Sequence, residues 1–189
     1  MWKNRYLAHV LSFIGLGANL GDPAETFGRA VAAMRTWGNV LRVSSLYATA
    51  PRDVTDQPGF VNAVVEFETE LSPRQLLVEL KALELQLGRD PGGIRYGPRL
   101  IDLDILAIEG RCLVDEDLDL VVPHPRLQER RFALEPLAEI NPDLRPWAGC
   151  EDVRVDVTVA DLLPSVAEQD VRRVGGAEWS DRREWPIGG

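Results

Sequence analysis

The stretch that decides the fold reads Arg99-Leu100-Ile101-Asp102-Leu103-Asp104-Ile105-Leu106-Ala107-Ile108. Apolar and acidic residues alternate through its middle, which is the two-residue period of a half-buried β-strand. Because residues i and i+2 of a strand point to the same face, the apolar side chains should pack into a core while Asp102 and Asp104 project from the other face. Two such carboxylates repel each other unless a cation bridges them. Together with Arg99, which suits a phosphate, the pair suggests magnesium and a nucleotide.

The sequence before this strand predicts five further elements. They are a strand over 11–16, a helix from Asp22-Pro23 to Gly38, a strand over 40–48, a strand over 60–69 and a helix from Ser72-Pro73 to Gly88. Loops rich in Pro, Gly and Asp occupy 50–59 and 89–98. The order β-α-β-β-α-β predicts an α+β fold with a ferredoxin-like core, in which helices pack on one face of an antiparallel sheet.

The signals after residue 109 are weaker. They indicate an extended stretch over 121–125, a helix over 129–140 that Pro136 opposes, and a short strand over 153–159, whereas 160–163 is ambiguous. We therefore expect C-terminal additions to the core, one domain over 1–165, and a polar, mobile tail over 166–189.

Composition limits the classes of function. A formal net charge of −9 argues against a protein that wraps nucleic acid, and no apolar run is long enough to span a membrane. Residues 1–10 suggest an extension leading into the first strand, not a signal peptide. Cys112 and Cys150 make neither a disulfide framework nor a zinc site. We expect a cytoplasmic monomer that acts on small molecules.

The glycine-rich run Gly15-Leu16-Gly17-Ala18-Asn19-Leu20-Gly21 follows a predicted strand and precedes a predicted helix. Its third glycine comes one residue too late for the dinucleotide-binding pattern, and the chain contains no P-loop pattern. We interpret the run as a turn with tight backbone packing.

Four segments together resemble the 6-hydroxymethyl-7,8-dihydropterin pyrophosphokinase family over about residues 11–145. They are Gly15–Gly21, 47–51 with 56–63, the string Arg95-Tyr96-Gly97-Pro98-Arg99-Leu100-Ile101-Asp102-Leu103-Asp104-Ile105-Leu106, and Val122-Pro123-His124-Pro125-Arg126 with Arg130 and Phe132. The resemblance implies a ferredoxin-like fold. It also implies transfer of pyrophosphate from ATP to the hydroxymethyl pterin, which leaves AMP, in folate biosynthesis.

The resemblance also implies roles for particular residues. Two Mg²⁺ ions would lie on Asp102 and Asp104, which with Arg89 and Arg99 form the catalytic set. ATP would contact Arg89, Arg95, Tyr96, Arg99, Ile105, His124 and Arg130. The pterin would contact Thr49, Pro51, Phe60, Asn62, Asp102 and Phe132, with the phenylalanines stacking and Asn62 reading the ring edge.

Plainer roles compete with these. Taken alone, Phe60 and Phe132 would be core residues, Arg89 a charge partner at a helix C-terminus, and His124 an ordinary loop histidine. Members of the family often carry a further arginine where this chain has Pro91. A binding module without catalysis, or a catalytically inactive relative, is therefore the competing hypothesis.

Overall fold

The computed structural model describes residues 9–51, 56–93, 97–150 and 157–181. Its strands are β1 (Val10–Ala18), β2 (Gly38–Val43), β3 (Leu46–Thr49), β4 (Phe60–Thr69), β5 (Asp102–Ile108), β6 (Leu113–Asp115), β7 (Leu120–Val122) and β8 (Val171–Gly175). Its α-helices are α1 (Pro23–Met34), α2 (Pro73–Gln86), α3 (Arg131–Ile140) and α4 (Val159–Leu162). Short 3-10 turns cover Glu116–Leu118, Leu127–Glu129, Leu163–Val166 and Ala177–Ser180.

The predicted helix starts are confirmed by their caps. Asp22 accepts a hydrogen bond from the backbone N–H of Glu25 at 3.1 Å, and a proline occupies the first turn of α1. Ser72 and Gln75 form a reciprocal capping box at the start of α2. These bonds satisfy backbone donors that the first turn of a helix leaves unpaired.

The main sheet is antiparallel and has the order β5-β1-β4-β3-β8, with β2 also paired to β4. One face packs on α1 and α2 through residues such as Ile14, Phe27 and Leu80. The other face packs on α3 through Phe13 and Leu134 among others. The α+β class and the βαββαβ core are therefore confirmed, and α3 adds a helix to the second face.

The second predicted strand, 40–48, is divided into β2 and β3 at Ser44-Ser45. Both halves pair with β4, on either side of Val64. The Ser44 hydroxyl accepts a hydrogen bond from the Val64 N–H at 2.9 Å, while the Ser45 N–H and hydroxyl donate to Glu139 at 2.8 and 2.7 Å. The strand breaks here because two side chains, the Ser44 hydroxyl and the Glu139 carboxylate, take the place of backbone partners in the ladder.

The C-terminal segment differs from the expected mobile tail. As far as residue 181 it is folded: β8 pairs antiparallel with β3 and extends the sheet. Trp179 is buried, lies edge-on to Phe27 with ring centroids 5.9 Å apart, and donates its indole N–H to the Ser44 carbonyl at 2.9 Å. The folded unit therefore continues past residue 165, because one short strand and one tryptophan anchor a segment of polar composition. The last residues, 182–189, lie outside the described residues.

The prediction of a strand over 153–159 is wrong for residues 157–159, the part of it that the structure describes. Residues 153–156 lie outside the described residues, and Val159 begins α4. Thr158 caps that helix, since its hydroxyl accepts from the Asp161 N–H and its own N–H donates to the Asp161 carboxylate. Local capping therefore outweighs the β-branched composition.

Cys112 and Cys150 form a disulfide with their Cα atoms 5.3 Å apart, a pairing that two cysteines in the sequence do not by themselves predict. The two chain segments also meet at glycines, because a Cβ on Gly149 would lie 3.0 Å from the carbonyl oxygen of Gly110. The bond closes a loop that contains β6, β7 and α3. No described helix has both the length and the apolar character needed to cross a membrane.

Replacing both cysteines should lower stability only under oxidising conditions. For a sequence separation of 38 residues, the loss of loop closure should cost about 4 kcal/mol of unfolding free energy. Urea unfolding of the wild type and of the Cys112→Ala, Cys150→Ala double variant would measure this difference. With excess dithiothreitol the two proteins should unfold at nearly the same urea concentration. Equal stability without the reductant would contradict the prediction.

Candidate active site

Two glycines of β1 form the floor of a cleft on the sheet. In the strand register Gly17 lies between Asp102 and Asn62, and Gly15 lies between Asp104 and Val64. Cross-strand partners share a face, so both carboxylates and the Asn62 amide project to the same side. A Cβ on Gly17 would lie 3.5 Å from the Asn62 amide oxygen, so any side chain there would rise between these polar groups.

This placement corrects the interpretation of the glycine-rich run. Gly15 and Gly17 belong to β1, and Gly21, with a φ of +67°, lies in the turn that follows. The first two glycines therefore keep space open above the strand, and the third allows the left-handed backbone of the turn.

The cleft has a volume of about 850 Å³. It brings together most of the residues that the sequence singled out: Thr49, Phe60, Asn62, Arg89, Arg99, Asp102, Asp104, Ile105, His124, Arg130 and Phe132. Pro51 is half-buried but is not among the lining residues. Arg95 and Tyr96 lie outside the described residues.

Asp102 is held between two arginines. Arg89 donates to its Oδ1 at 2.6 Å, and Arg99 donates to its Oδ2 at 2.6 Å. The side chains are 28%, 16% and 23% exposed for Arg89, Arg99 and Asp102, so water screens these pairs only partly. The arginines come from opposite ends of the loop between α2 and β5, and Asp102 therefore joins the two ends.

Asp104 has a different partner. Its Oδ1 lies 3.3 Å from the Nζ of Lys81 on α2, and both side chains are about 40% exposed. Burial acts to raise the pKa of Asp104, but Lys81, helped by His124 and Arg130, outweighs it, and the pKa lies below its usual value. Asp104 is therefore ionised at neutral pH.

Glu84 is a buried carboxylate that the sequence patterns do not predict. Its side chain is 3% exposed and accepts hydrogen bonds from the Leu103 N–H at 2.6 Å, from Lys81 at 2.8 Å and from Arg89. Lys81 in turn donates to the Leu103 carbonyl at 2.7 Å. Leu103 lies in the edge strand β5, so α2 supplies the partners that a further strand would otherwise provide. Burial raises the pKa of Glu84, while Lys81 opposes the rise.

Asn19 connects the two loops that border the cleft, and it too was missed. Its amide nitrogen donates to the Gln57 side chain at 2.9 Å and to the Pro58 carbonyl at 3.1 Å. Its amide oxygen accepts from the Arg99 N–H at 2.8 Å. The sequence does hold a signal for each of these two residues. Asn19 is a polar residue within the glycine-rich run, and Glu84 is an acidic residue on the leucine-rich face of α2.

Aromatic and amide groups line the part of the cleft next to Arg99. The Arg99 guanidinium carbon lies 6.0 Å from the Phe60 ring centroid, and that of Arg130 lies 5.5 Å from the Phe132 centroid. Asn62 is buried and donates to the Thr49 hydroxyl at 3.2 Å. A flat ring with polar edges suits such surroundings, since both rings offer stacking faces and the amide offers directional hydrogen bonds.

His124 is held in a neutral form. The imidazole Nδ1 accepts a hydrogen bond from the backbone N–H of Arg126 at 3.1 Å, and the backbone N–H of His124 donates to the Leu106 carbonyl at 2.8 Å. Burial lowers the pKa of His124, and the charge of Arg130 lowers it further. The imidazole can therefore present its Nε2–H to a ligand as a hydrogen-bond donor.

Residues 13–142 match the family model of 7,8-dihydro-6-hydroxymethylpterin-pyrophosphokinase (HPPK). The chain belongs to the HPPK family. It is 43% identical over 160 residues to the 2-amino-4-hydroxy-6-hydroxymethyldihydropteridine pyrophosphokinase of Methylorubrum extorquens, covering 84% of this chain and 97% of that protein. It is 41% identical over 148 residues to a folate synthesis bifunctional protein of Arabidopsis thaliana.

The HPPK relatives differ in length. This chain spans 29% of that Arabidopsis thaliana protein and 24% of a mitochondrial bifunctional protein of Pisum sativum, so it covers less than a third of either. Among solved structures, a Plasmodium falciparum HPPK-DHPS structure superposes with a TM-score of 0.65 at 14% identity, covering 86% of this chain and 46% of that chain. This likeness supports the fold alone.

The carboxylates present in this HPPK chain fit magnesium. Asp102 and Asp104 lie on one strand face, about 7 Å apart along the strand. Within the described ranges, no three His, Cys, Asp or Glu side chains are placed to hold a metal together. That donor set suits Mg²⁺, which commonly takes one or two carboxylates and completes its shell with water and phosphate oxygens.

Removing the Glu84 carboxylate should destabilise the fold strongly. Glu84→Ala leaves the Leu103 N–H without its partner and takes from Lys81 and Arg89 the buried carboxylate that they share, which should cost about 3 kcal/mol of unfolding free energy. Glu79→Ala is the matched control, because Glu79 is exposed on the same helix and should change stability by less than about 0.5 kcal/mol. Urea unfolding measures both changes, and a loss of stability at Glu84 no larger than at Glu79 would contradict a stabilising role for the bonds of Glu84 with Leu103, Lys81 and Arg89.

The pKa of His124 should rise when Arg130 is replaced. In Arg130→Met one lowering charge is gone, so the imidazole should titrate at higher pH than in the wild type, although burial still holds it down. Carbon-13 NMR titration of the histidine rings measures the shift, with His124→Gln assigning the signal. An unchanged titration midpoint would rule out the influence of Arg130.

Proposed function

We propose that this chain transfers a pyrophosphoryl group from ATP to the hydroxymethyl oxygen of 6-hydroxymethyl-7,8-dihydropterin, giving AMP and the pterin diphosphate in folate biosynthesis. The observation that carries the proposal is that Asp102 and Asn62 project from the same face of the sheet, on strands that flank Gly17 of β1. Two arginines, Arg89 and Arg99, hold Asp102 on that face. Family membership and the name of the Methylorubrum extorquens relative support the same reaction.

The products define the bond changes. The pterin hydroxymethyl oxygen forms a bond to the β-phosphorus, and the bond from the β-phosphorus to the oxygen that bridges it to the α-phosphorus breaks. The bridging oxygen leaves with AMP, and the hydroxyl proton is released to the solution. In phosphoryl transfer the protein contributes chiefly by positioning the groups and neutralising their charge. The cleft offers guanidinium groups for the phosphates and a polar, aromatic wall for the pterin.

On the nucleotide side, we propose contacts from Arg89, Arg95, Tyr96, Arg99, Ile105, His124 and Arg130. Guanidinium groups suit this role because their planar donors match pairs of phosphate oxygens. On the pterin side, we propose Thr49, Pro51, Phe60, Asn62, Asp102 and Phe132. The 6.0 Å distance from the Arg99 guanidinium carbon to the Phe60 ring centroid supports a nucleotide side and a pterin side that adjoin each other.

Asp102 and Asp104 would hold two Mg²⁺ ions, so we propose that the activity depends on magnesium. When bound, the ions would supply neutralisation of phosphate charge and a fixed orientation of the triphosphate. The residues of this chain would do the rest: Arg89 and Arg99 hold Asp102, and Lys81 and Glu84 fix the strand that carries both aspartates.

The competing hypothesis of an inactive relative rests on the loop before β5. Pro91 occupies the position of an expected arginine, and Gly92 donates its N–H to the Asp90 side chain at 2.8 Å in a tight turn. The cytoplasmic location, the monomeric state and the lack of nucleic-acid binding stay predictions. The disulfide argues against the predicted cytoplasmic location, because such bonds are rare in the cytosol.

AMP release tests the function directly. The wild type with hydroxymethyl dihydropterin, ATP and Mg²⁺ should form AMP and pterin diphosphate in equal amounts, and EDTA should stop the reaction. Asp104→Asn should lower turnover by at least about a hundredfold, the scale of losing one catalytic electrostatic group. The matched control Asp143→Asn, at an exposed position outside the cleft lining, should keep wild-type turnover. No pterin-dependent AMP from the wild type would refute the proposal in favour of an inactive relative.

A further inference from the structure

Lys81 holds three acceptors, and only one of them belongs to a proposed metal ligand. Its Nζ lies 2.7 Å from the Leu103 carbonyl oxygen, 2.8 Å from Glu84 Oε1 and 3.3 Å from Asp104 Oδ1. An ammonium group has three N–H donors, so these contacts use all of them.

The contact with Asp104 is the weakest of the three. Glu84 is 3% exposed, and the Leu103 carbonyl belongs to the sheet, whereas the Lys81 and Asp104 side chains are 40% and 39% exposed. Exposed ion pairs of this kind alter an equilibrium by less than about fivefold. A divalent cation can therefore take Asp104 from Lys81, while Glu84 and Leu103 keep the ammonium group in place.

The ion pairs of the cleft balance each other before any ligand binds. Three carboxylates (Asp102, Asp104 and Glu84) pair with three cations (Lys81, Arg89 and Arg99), so this group has no net formal charge. A metal ion that binds alone meets carboxylates that are already paired. ATP that binds alone meets cations that are already paired. Each ligand must therefore break ion pairs in order to bind, and the binding of the other ligand breaks the same pairs.

We propose that Lys81 is a positioning residue that turns from Asp104 to the phosphates of the nucleotide when a metal ion occupies Asp104. Metal and nucleotide then strengthen each other's binding, because the metal frees the one N–H of the ammonium group that had contacted Asp104, and this N–H can then donate to a phosphate. Lys81 lines the same cleft as Arg89, Arg99 and His124, so its ammonium group borders the proposed phosphate region. This inference rests on the proposed function and assigns to it a residue outside the catalytic set.

The test measures binding without turnover. Mn²⁺ is the metal probe, followed by the EPR signal of the free ion, and the α,β-methylene analogue of ATP is the nucleotide, since its bridge cannot be cleaved. In Lys81→Met, Mn²⁺ alone should bind about two- to fivefold more tightly, because Asp104 has lost its competing cation. The analogue, measured with saturating Mn²⁺, should bind more weakly by a similar factor.

The two expected changes in Lys81→Met, tighter Mn²⁺ binding and weaker nucleotide binding, have opposite signs, and this separates a positioning role from a structural one. If Lys81 only clamps β5, both affinities should fall together in Lys81→Met, and the proposal is then overturned. Unchanged Mn²⁺ affinity would overturn it as well. Lys81→Gln is the second variant, since its amide keeps a donor for the Leu103 carbonyl without the charge, and it should repeat the result if the methionine variant folds poorly.

Two controls complete the design. Lys81→Arg keeps the charge and should keep the mutual strengthening of metal and nucleotide. Arg74 lies near the start of α2, the helix that carries Lys81, and outside the cleft lining. Arg74→Met removes its ion pair with Asp115 of β6 and should alter neither the Mn²⁺ affinity nor the nucleotide affinity. AMP formation by the wild type tests the proposed function separately, so a failure of the Lys81 result alone would leave the proposed function intact.

Discussion

The buried carboxylate of Glu84 is the interaction on which the cleft depends. Strand β5 lies at the edge of the main sheet, so one side of its backbone lacks a neighbouring strand. Glu84 accepts the Leu103 N–H and Lys81 donates to the Leu103 carbonyl, which satisfies both backbone groups of that residue. Since Leu103 lies between Asp102 and Asp104, this pair of contacts from α2 fixes the two aspartates on their face of the sheet.

The same carboxylate links the sheet to the loop before β5. Arg89 reaches both Glu84 and Asp102, so the end of α2, the edge strand and the cleft share one network of charges. Breaking such a network by removing one partner is costly, because the remaining charges stay buried without compensation. The geometry of the cleft and the stability of the fold are therefore coupled.

Local sequence patterns predicted the elements that carry strong local signals. The alternation of apolar and acidic residues predicted β5 and the face from which Asp102 and Asp104 project. The capping residues Asp22 and Ser72 predicted the starts of α1 and α2. Local patterns failed where long-range partners decide the outcome. Ser44-Ser45 divides a strand through bonds to Val64 and Glu139, and Trp179 anchors a polar segment against Phe27, neither of which spacing along the chain can show. Most predicted site residues meet in the cleft, but Glu84, Lys81 and Asn19 act through partners that are distant in sequence or on another element.

The disulfide between Cys112 and Cys150 has a topological consequence for the cleft. The segment between these residues carries His124, Arg130 and Phe132, so all three belong to a covalent ring. A single peptide-bond cut anywhere inside that ring leaves the two chain fragments joined through sulfur. In an oxidising environment, damage to this part of the backbone would therefore open the ring without releasing the side chains that it presents to the cleft.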